Sequence, residues 1–203
     1  MDDLKISHEN GDTVDALINK VSKRYGKDAD LTTHQGKAHD YLVINMGYYK
    51  EGKIKMDMKD YVKKILDELP KKYQGRSITP AANHLIKVNK TTRKLGKKDS
   101  QAFYTIVEKM LFMCKRAQPD ILTKLALLST RGRDPDKDKK LSWILEYLSG
   151  TRDLVLTLES DGARTVKWWM DVAFTVHHYM KSHTGGMMSM ERGALYSASS
   201  KQN

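Results

Sequence analysis

The sequence predicts an α+β fold in two parts, a hairpin with helices followed by a β-meander. Three observations carry this reading. Up to Gly150, apolar residues recur mostly at helical spacing. Beyond it the texture turns extended, with Leu154, Leu156 and Leu158 alternating with Val155, Thr157 and Glu159. A turn signal at Asp161-Gly162 and breaks or bulges at Gly185-Gly186 and Arg192-Gly193 then punctuate the remainder. A boundary therefore falls near Thr151, separating residues 1–150 from residues 151–203.

The elements follow in order. Val14, Leu17, Ile18, Val21 and Tyr25 share one helical face, with Asp12 placed to cap the helix and Gly26 to end it. Tyr41 to Met46 and Lys53 to Met58 read as a hairpin around Glu51-Gly52. Tyr61, Val62, Ile65, Leu66 and Leu69 form a second amphipathic helix that Pro70 stops. Residues 70–99 are weakly patterned and hold the basic run KVNKTTRKLGKK, which reads as a connection. Three helices then follow. One starts near Ser100, one opens with Pro119 at its first position, and one runs from about Lys137 to Ser149. Strands are expected at 164–176, 182–190 and 194–199.

The 203 residues suffice for one ordinary domain or two small ones. Hydrophobic residues make up 39% and charged residues 30%, close to the average for globular chains. The formal net charge is +11 and the pI is near 9.5, a balance that favours a polyanionic partner, nucleic acid first. Cys114 is the only cysteine, so an intramolecular disulfide and a cysteine-built zinc site are both excluded. The polar, acidic N-terminus does not read as a secretion signal, and no apolar run reaches membrane-spanning length. The expected location is intracellular, in cytoplasm or nucleus, with no membrane partner.

Two-metal nucleic-acid chemistry needs clustered carboxylates, because one Asp cannot hold two divalent cations about 4 Å apart. Asp2 and Asp3 are an adjacent pair, which a solvated terminus would also explain. Asp171 lies in VKWWMDVAFTV, where alternation sets Trp168, Met170, Val172, Phe174 and Val176 on one face. Lys167, Trp169, Asp171, Ala173 and Thr175 take the other. Asp is disfavoured inside strands, so Asp171 is either a half-exposed face residue or a metal ligand on a rigid element. His177, His178 and His183 lack the companions of a zinc motif and read as surface or phosphate-facing groups. Met187, Met188 and Met190 read as core packing.

Taken in order, these segments resemble a copia-type retrotransposon polyprotein. MDDLKISH resembles the end of the reverse transcriptase Tyr-x-Asp-Asp box. HDYLVINMGYYKEGKIKMDMKDYVKKIL resembles the hairpin that grips the primer end, followed by a thumb helix. TPAANHL, AFYTIVEKMLFMCKRAQPDI and LEYLSGTRDLVLTL are similar to thumb and connection segments. VKWWMDVAF, KSHTGGMMSM and YSASSKQ look like the opening strands of an attached ribonuclease H domain. The family usually carries Gly where Val43 stands.

The resemblance implies a truncated palm, thumb and connection over 1–150, followed by part of a ribonuclease H-like mixed sheet over 151–203. It implies that Asp2 and Asp3 are the palm aspartates and that Asp171 is the first ribonuclease H carboxylate. Asp2 and Asp171 would then be Mg²⁺ ligands. Nucleic acid, as primer-template or RNA–DNA hybrid, would meet Lys181, Ser182, His183 and Thr184. It would also meet the basic run at Lys87, Lys90, Arg93, Lys94, Lys97 and Lys98. The further palm aspartate and the later ribonuclease H acids are not in the sequence, so the expectation is a catalytically incomplete, nucleic-acid-binding fragment. A segment of a longer active polyprotein and a co-opted binding or interaction protein are the alternatives. The partial sheet is expected to expose an edge or an apolar face and to favour self-association or other polyprotein segments as partners.

Overall fold

A computed structural model of the chain describes residues 4–27, 30–69, 75–80, 96–130, 137–160, 162, 165–177 and 180–202. Helix α1 (Gly11–Tyr25) comes first. It is capped by Asn10, not by Asp12 as the sequence suggested. Asn10 has the extended backbone of a cap residue, and its side chain accepts the Asp12 N–H at 2.8 Å. None of the apolar residues of α1 is buried.

The expected hairpin is a four-stranded antiparallel sheet. Its strands are β1 (Ala38–Tyr41), β2 (Ile44–Lys50), β3 (Lys53–Asp57) and β4 (Leu156–Glu159), in that spatial order. The single strand expected from Tyr41 to Met46 is interrupted by a two-residue turn. Leu42 and Val43 both have positive φ, 51° and 66°. That geometry matches the right-handed twist of paired strands and is normally filled by Asn-Gly. A β-branched Val there is strained. The Glu51-Gly52 turn is where the sequence placed it, with Gly52 at φ 70°. Ser160 N–H donates to Gly52 O at 2.9 Å, closing β4 onto this turn. The strand that follows Thr151 thus joins the N-terminal sheet.

Helix α2 (Lys59–Asp67) buries Val62 and Ile65. Helix α3 (Lys97–Cys114) starts three residues earlier than Ser100, with Gly96 as its cap residue. Pro119 opens a short 3-10 turn, Pro119–Ile121, that runs into α4 (Leu122–Thr130). Helix α5 (Lys137–Gly150) ends the helical part. Phe103, Val107, Met110 and Met113 of α3 meet Leu125 and Leu128 of α4 and Leu141, Ile144, Leu145 and Leu148 of α5. Ile44 and Met46 bring the sheet into the same cluster. Each fully buried aliphatic side chain contributes about 1.5–3 kcal/mol.

Two polar contacts and one thiol mark this core. Tyr147 Oη donates to Asp120 Oδ2 at 2.5 Å, tying α5 to the Pro119 turn. Burial, then that bond, pushes the Tyr147 phenol up to about 12. Gln118 Nε2 donates to Thr151 O at 3.0 Å. Cys114 is fully buried, and burial pushes its thiol up to about 12, which makes it an inert packing residue.

The second sheet is an antiparallel meander of β5 (Lys167–Ala173), β6 (His183–Ser189) and β7 (Tyr196–Lys201). Helix α4 lies against β7. The sheet also meets β4 through a bridge in which Glu159 and Arg192 exchange backbone hydrogen bonds at 3.0 and 3.2 Å. Gly193 makes that approach possible. Its φ is 82°, and a Cβ there would stand 2.2 Å from Thr157 O. Met187, expected in the core, is exposed, and Met188 and Met190 are only half-buried.

Candidate carboxylate site and nucleic-acid interface

Asp171 sits near the C-terminal end of β5, with its neighbours fixed by strand register. It lies opposite Gly185 of β6, which in turn lies opposite Ser199 of β7. The row beside Asp171 is therefore small and open. A Cβ on Gly185 would meet nothing closer than Asp171 O at 4.0 Å. The carboxylate is exposed, and its Oδ1 accepts the N–H of Val172 at 2.9 Å. A rigid strand thus presents one acid to solvent.

Mg²⁺ prefers oxygen ligands, and paired metals need several carboxylates held together. Among the described residues there is no group of three or more His, Cys, Asp or Glu side chains that could hold a metal ion. The described donors therefore do not suffice for a two-metal centre. Asp2 and Asp3 lie outside the described residues, so their relation to Asp171 does not enter.

Lys181 to Thr184 lead into β6 and are pinned by the backbone. His177 N–H donates to Lys181 O at 3.1 Å, and Gln202 N–H donates to Ser182 O at 2.9 Å. Gln202 Nε2 donates to Thr184 Oγ1 at 2.6 Å. Lys181, Ser182 and Thr184 are half-buried.

His183 departs from the expected surface role. It is buried, as is His177, and their Nδ1 and Nε2 atoms stand 2.8 Å apart. His183 Nε2 is 2.6 Å from Ser199 Oγ. One ring must donate where the other accepts, so the pair fixes its own tautomers. This chain of polar groups makes His183 an internal strut of the sheet. Nothing in the sequence signalled it, because the three residues come from a loop and two different strands.

Of the basic run, Lys87, Lys90, Arg93 and Lys94 lie outside the described residues. Lys97 and Lys98 open α3. On the N-terminal sheet Lys53 pairs with Glu159 at 2.5 Å, and that bond holds the Glu159 carboxyl below its usual range. A similar contact joins Lys109 of α3 to Glu68, just past α2, and lowers the Glu68 carboxyl.

The whole chain is similar to a transposon Ty5-1 protein of Saccharomyces cerevisiae, at 26% identity over 204 aligned positions. The chain is thus related to a transposon protein. It spans 64% of that relative's length. No protein-family model and no solved structure matches it. Among the described residues, no helix is long and apolar enough to cross a membrane.

Proposed function

We propose that this chain is a segment of a copia-type retrotransposon polyprotein, from the end of the reverse transcriptase into the start of ribonuclease H. It binds nucleic acid by charge and does not catalyse by itself. The observation that carries this reading is the similarity of the whole chain to part of a transposon protein. The net charge of +11 supports the binding half, since Lys and Arg contacts to phosphates release counterions. Lys87, Lys90, Arg93, Lys94, Lys97, Lys98 and Lys181 are the proposed contacts, with Ser182 and Thr184 beside the last. Binding of this kind tolerates any sequence.

The catalytic half rests on the absence, among the described residues, of a carboxylate cluster around Asp171. Mg²⁺, where several carboxylates hold it, would activate water and stabilise the leaving oxygen in hybrid cleavage. The described residues do not provide that set, and no step through the metal follows from them. The purified chain should therefore neither extend a primer nor cut an RNA–DNA hybrid, with Mg²⁺ or Mn²⁺. Activity that Asp171→Asn abolishes would overturn this.

A second reading has one observation in its favour. The yeast relative is longer than this chain. On that reading the segment works inside a longer polyprotein that completes both sites. In-frame palm sequence upstream and acidic helix sequence downstream, in the flanking nucleotides, would support it. Stop codons and frameshifts there would favour a decayed copy.

A further inference from the structure

The chain of His177, His183 and Ser199 sits where a charge is poorly accommodated. His177 is 8% exposed and His183 5%. Their ring centroids are 5.0 Å apart, and the facing nitrogens stand at 2.8 Å. At that separation one nitrogen carries a proton and the other offers a lone pair. The second nitrogen of His183 is engaged as well, 2.6 Å from Ser199 Oγ. One added proton fits an outer nitrogen, with the Ser199 hydroxyl turning from donor to acceptor where His183 takes it. A second proton sets N–H against N–H at the shared contact, and the rings must part.

The charges about the pair oppose even the first proton. Strand register places Lys201 of β7 directly opposite His183. Lys181 precedes β6, and its carbonyl accepts the His177 N–H at 3.1 Å. Helix α4, against β7, carries Lys124 as its one charged residue. On the β5 side Ala173 stands opposite His183. Asp171, two residues back, is exposed with Oδ1 on the Val172 N–H. Lys167 and Glu191, at the far end of the sheet, pair with each other. Near the imidazoles, three cations thus stand against one solvated carboxylate among the described residues.

The backbone on either side of His177 is held away from its preferred conformation. Thr175 and Met180 both have positive φ, 55° and 59°. Left-handed backbone at a non-glycine residue persists only where its surroundings hold it. Here the holding contacts include the His177 ring on His183 and the His177 N–H on Lys181 O. We infer that the His177–His183–Ser199 chain is a proton-sensitive clasp, which keeps the connection between β5 and β6 closed onto the sheet while both imidazoles are neutral and releases it in mild acid. The open form binds protons more readily than the closed one. Closure is therefore fully retained above the ordinary imidazole range, about 6.5, and loses ground as pH falls through it. The inference does not depend on the proposed function. Where that function holds, release also changes how Lys181 and Ser182 meet phosphate.

Hydrogen exchange on the full chain, corrected for the intrinsic effect of pH, reads the clasp directly. The His177 and Gln202 amides should lose protection by about tenfold or more between about pH 7 and pH 5, as opening takes up one proton or two. Glu159, Arg192 and the amides of α3 should keep theirs. His177→Gln keeps a donor for His183 but cannot titrate, so it should reduce the loss, and His177→Gln/His183→Gln should abolish it. Ring nitrogen shifts of the unaltered chain need no substitution. The two imidazoles should titrate as a coupled pair, in step with the loss of protection. Protection unchanged across that range, a loss shared equally by α3, imidazoles that titrate independently while the amides stay protected, or the parent's acid response in the double variant would each overturn the inference.

Discussion

The helical core and the C-terminal sheet bury opposite kinds of side chain. Around α3, α4 and α5 the buried residues are nearly all apolar, and Met110, Leu125, Leu141, Ile144 and Leu145 have no exposed surface. From residue 165 on, the buried side chains among the described residues are His177, His183 and Ser189. The large apolar residues there, including both tryptophans of β5, face outward. A helix bundle closes on itself because each helix offers an apolar stripe to its neighbours. A three-stranded sheet has two faces and two edges, and one helix beside β7 cannot cover them. What holds this sheet is its backbone ladder, a polar strut and the junction at Gly193.

The sharpest way to break the comparison is to cut into the core. Leu145→Ala should cost about 2–5 kcal/mol, read as a lower denaturant midpoint, because the cavity cannot collapse among packed helices. Cys114 reports the same event. Its alkylation should be negligible in the folded chain and should follow unfolding. Next comes the junction between the sheets. Gly193→Ala should cost about 2 kcal/mol or more, since a Cβ collides with the Thr157 carbonyl at a positive φ. Hydrogen exchange should show weakened protection at Glu159 and Arg192 first and leave α5 protected. Val43→Gly should stabilise the chain by about 1 kcal/mol, because it removes a β-branched residue from left-handed backbone. Phe174→Ala, on a side chain 78% exposed, should change monomer stability by no more than about 0.5 kcal/mol.

The smallest effect is electrostatic. The folded Glu159 and Glu68 carboxyls titrate below their usual range because each is bonded to a lysine. A carboxyl depressed in the folded state stabilises it above the unfolded pKa, and that contribution disappears as pH falls through the folded pKa. Lys53→Met should therefore be less stable than the parent near neutrality, and in an acid titration that difference should shrink as pH falls through the folded Glu159 pKa.

Legibility in the sequence followed the same division. The helices were readable because their apolar spacing and their stops are local, as with Val62 and Ile65 or the Pro119 start. The meander was readable from alternation and from the break at Arg192-Gly193, whereas Gly185-Gly186, expected as a break or bulge, lies inside β6 in unbroken register with β5 and β7. Three things were not. The Leu42-Val43 turn lacks the glycine that would announce it. The pairing of β4 with β3 joins residues about a hundred or more positions apart and follows from no local pattern. Alternation along β5 gave its two faces but not that both are exposed, because exposure depends on what packs against it. For the site, Asp171 and its strand were visible as an acid among apolar residues. The burial of His183 was not, since its partners are distant in sequence.

The central claim is that this transposon-related chain engages nucleic acid through charge. The most direct test is the affinity of the purified chain for RNA–DNA hybrids of unrelated sequence, measured across a range of salt concentrations. The account predicts similar affinities for all sequences and a steep linear fall of log affinity with log salt. Neutralising Lys87, Lys90, Arg93 and Lys94 to Gln should lower that slope by about one for each phosphate that is no longer neutralised. No binding at low ionic strength, or an affinity indifferent to salt, would contradict it.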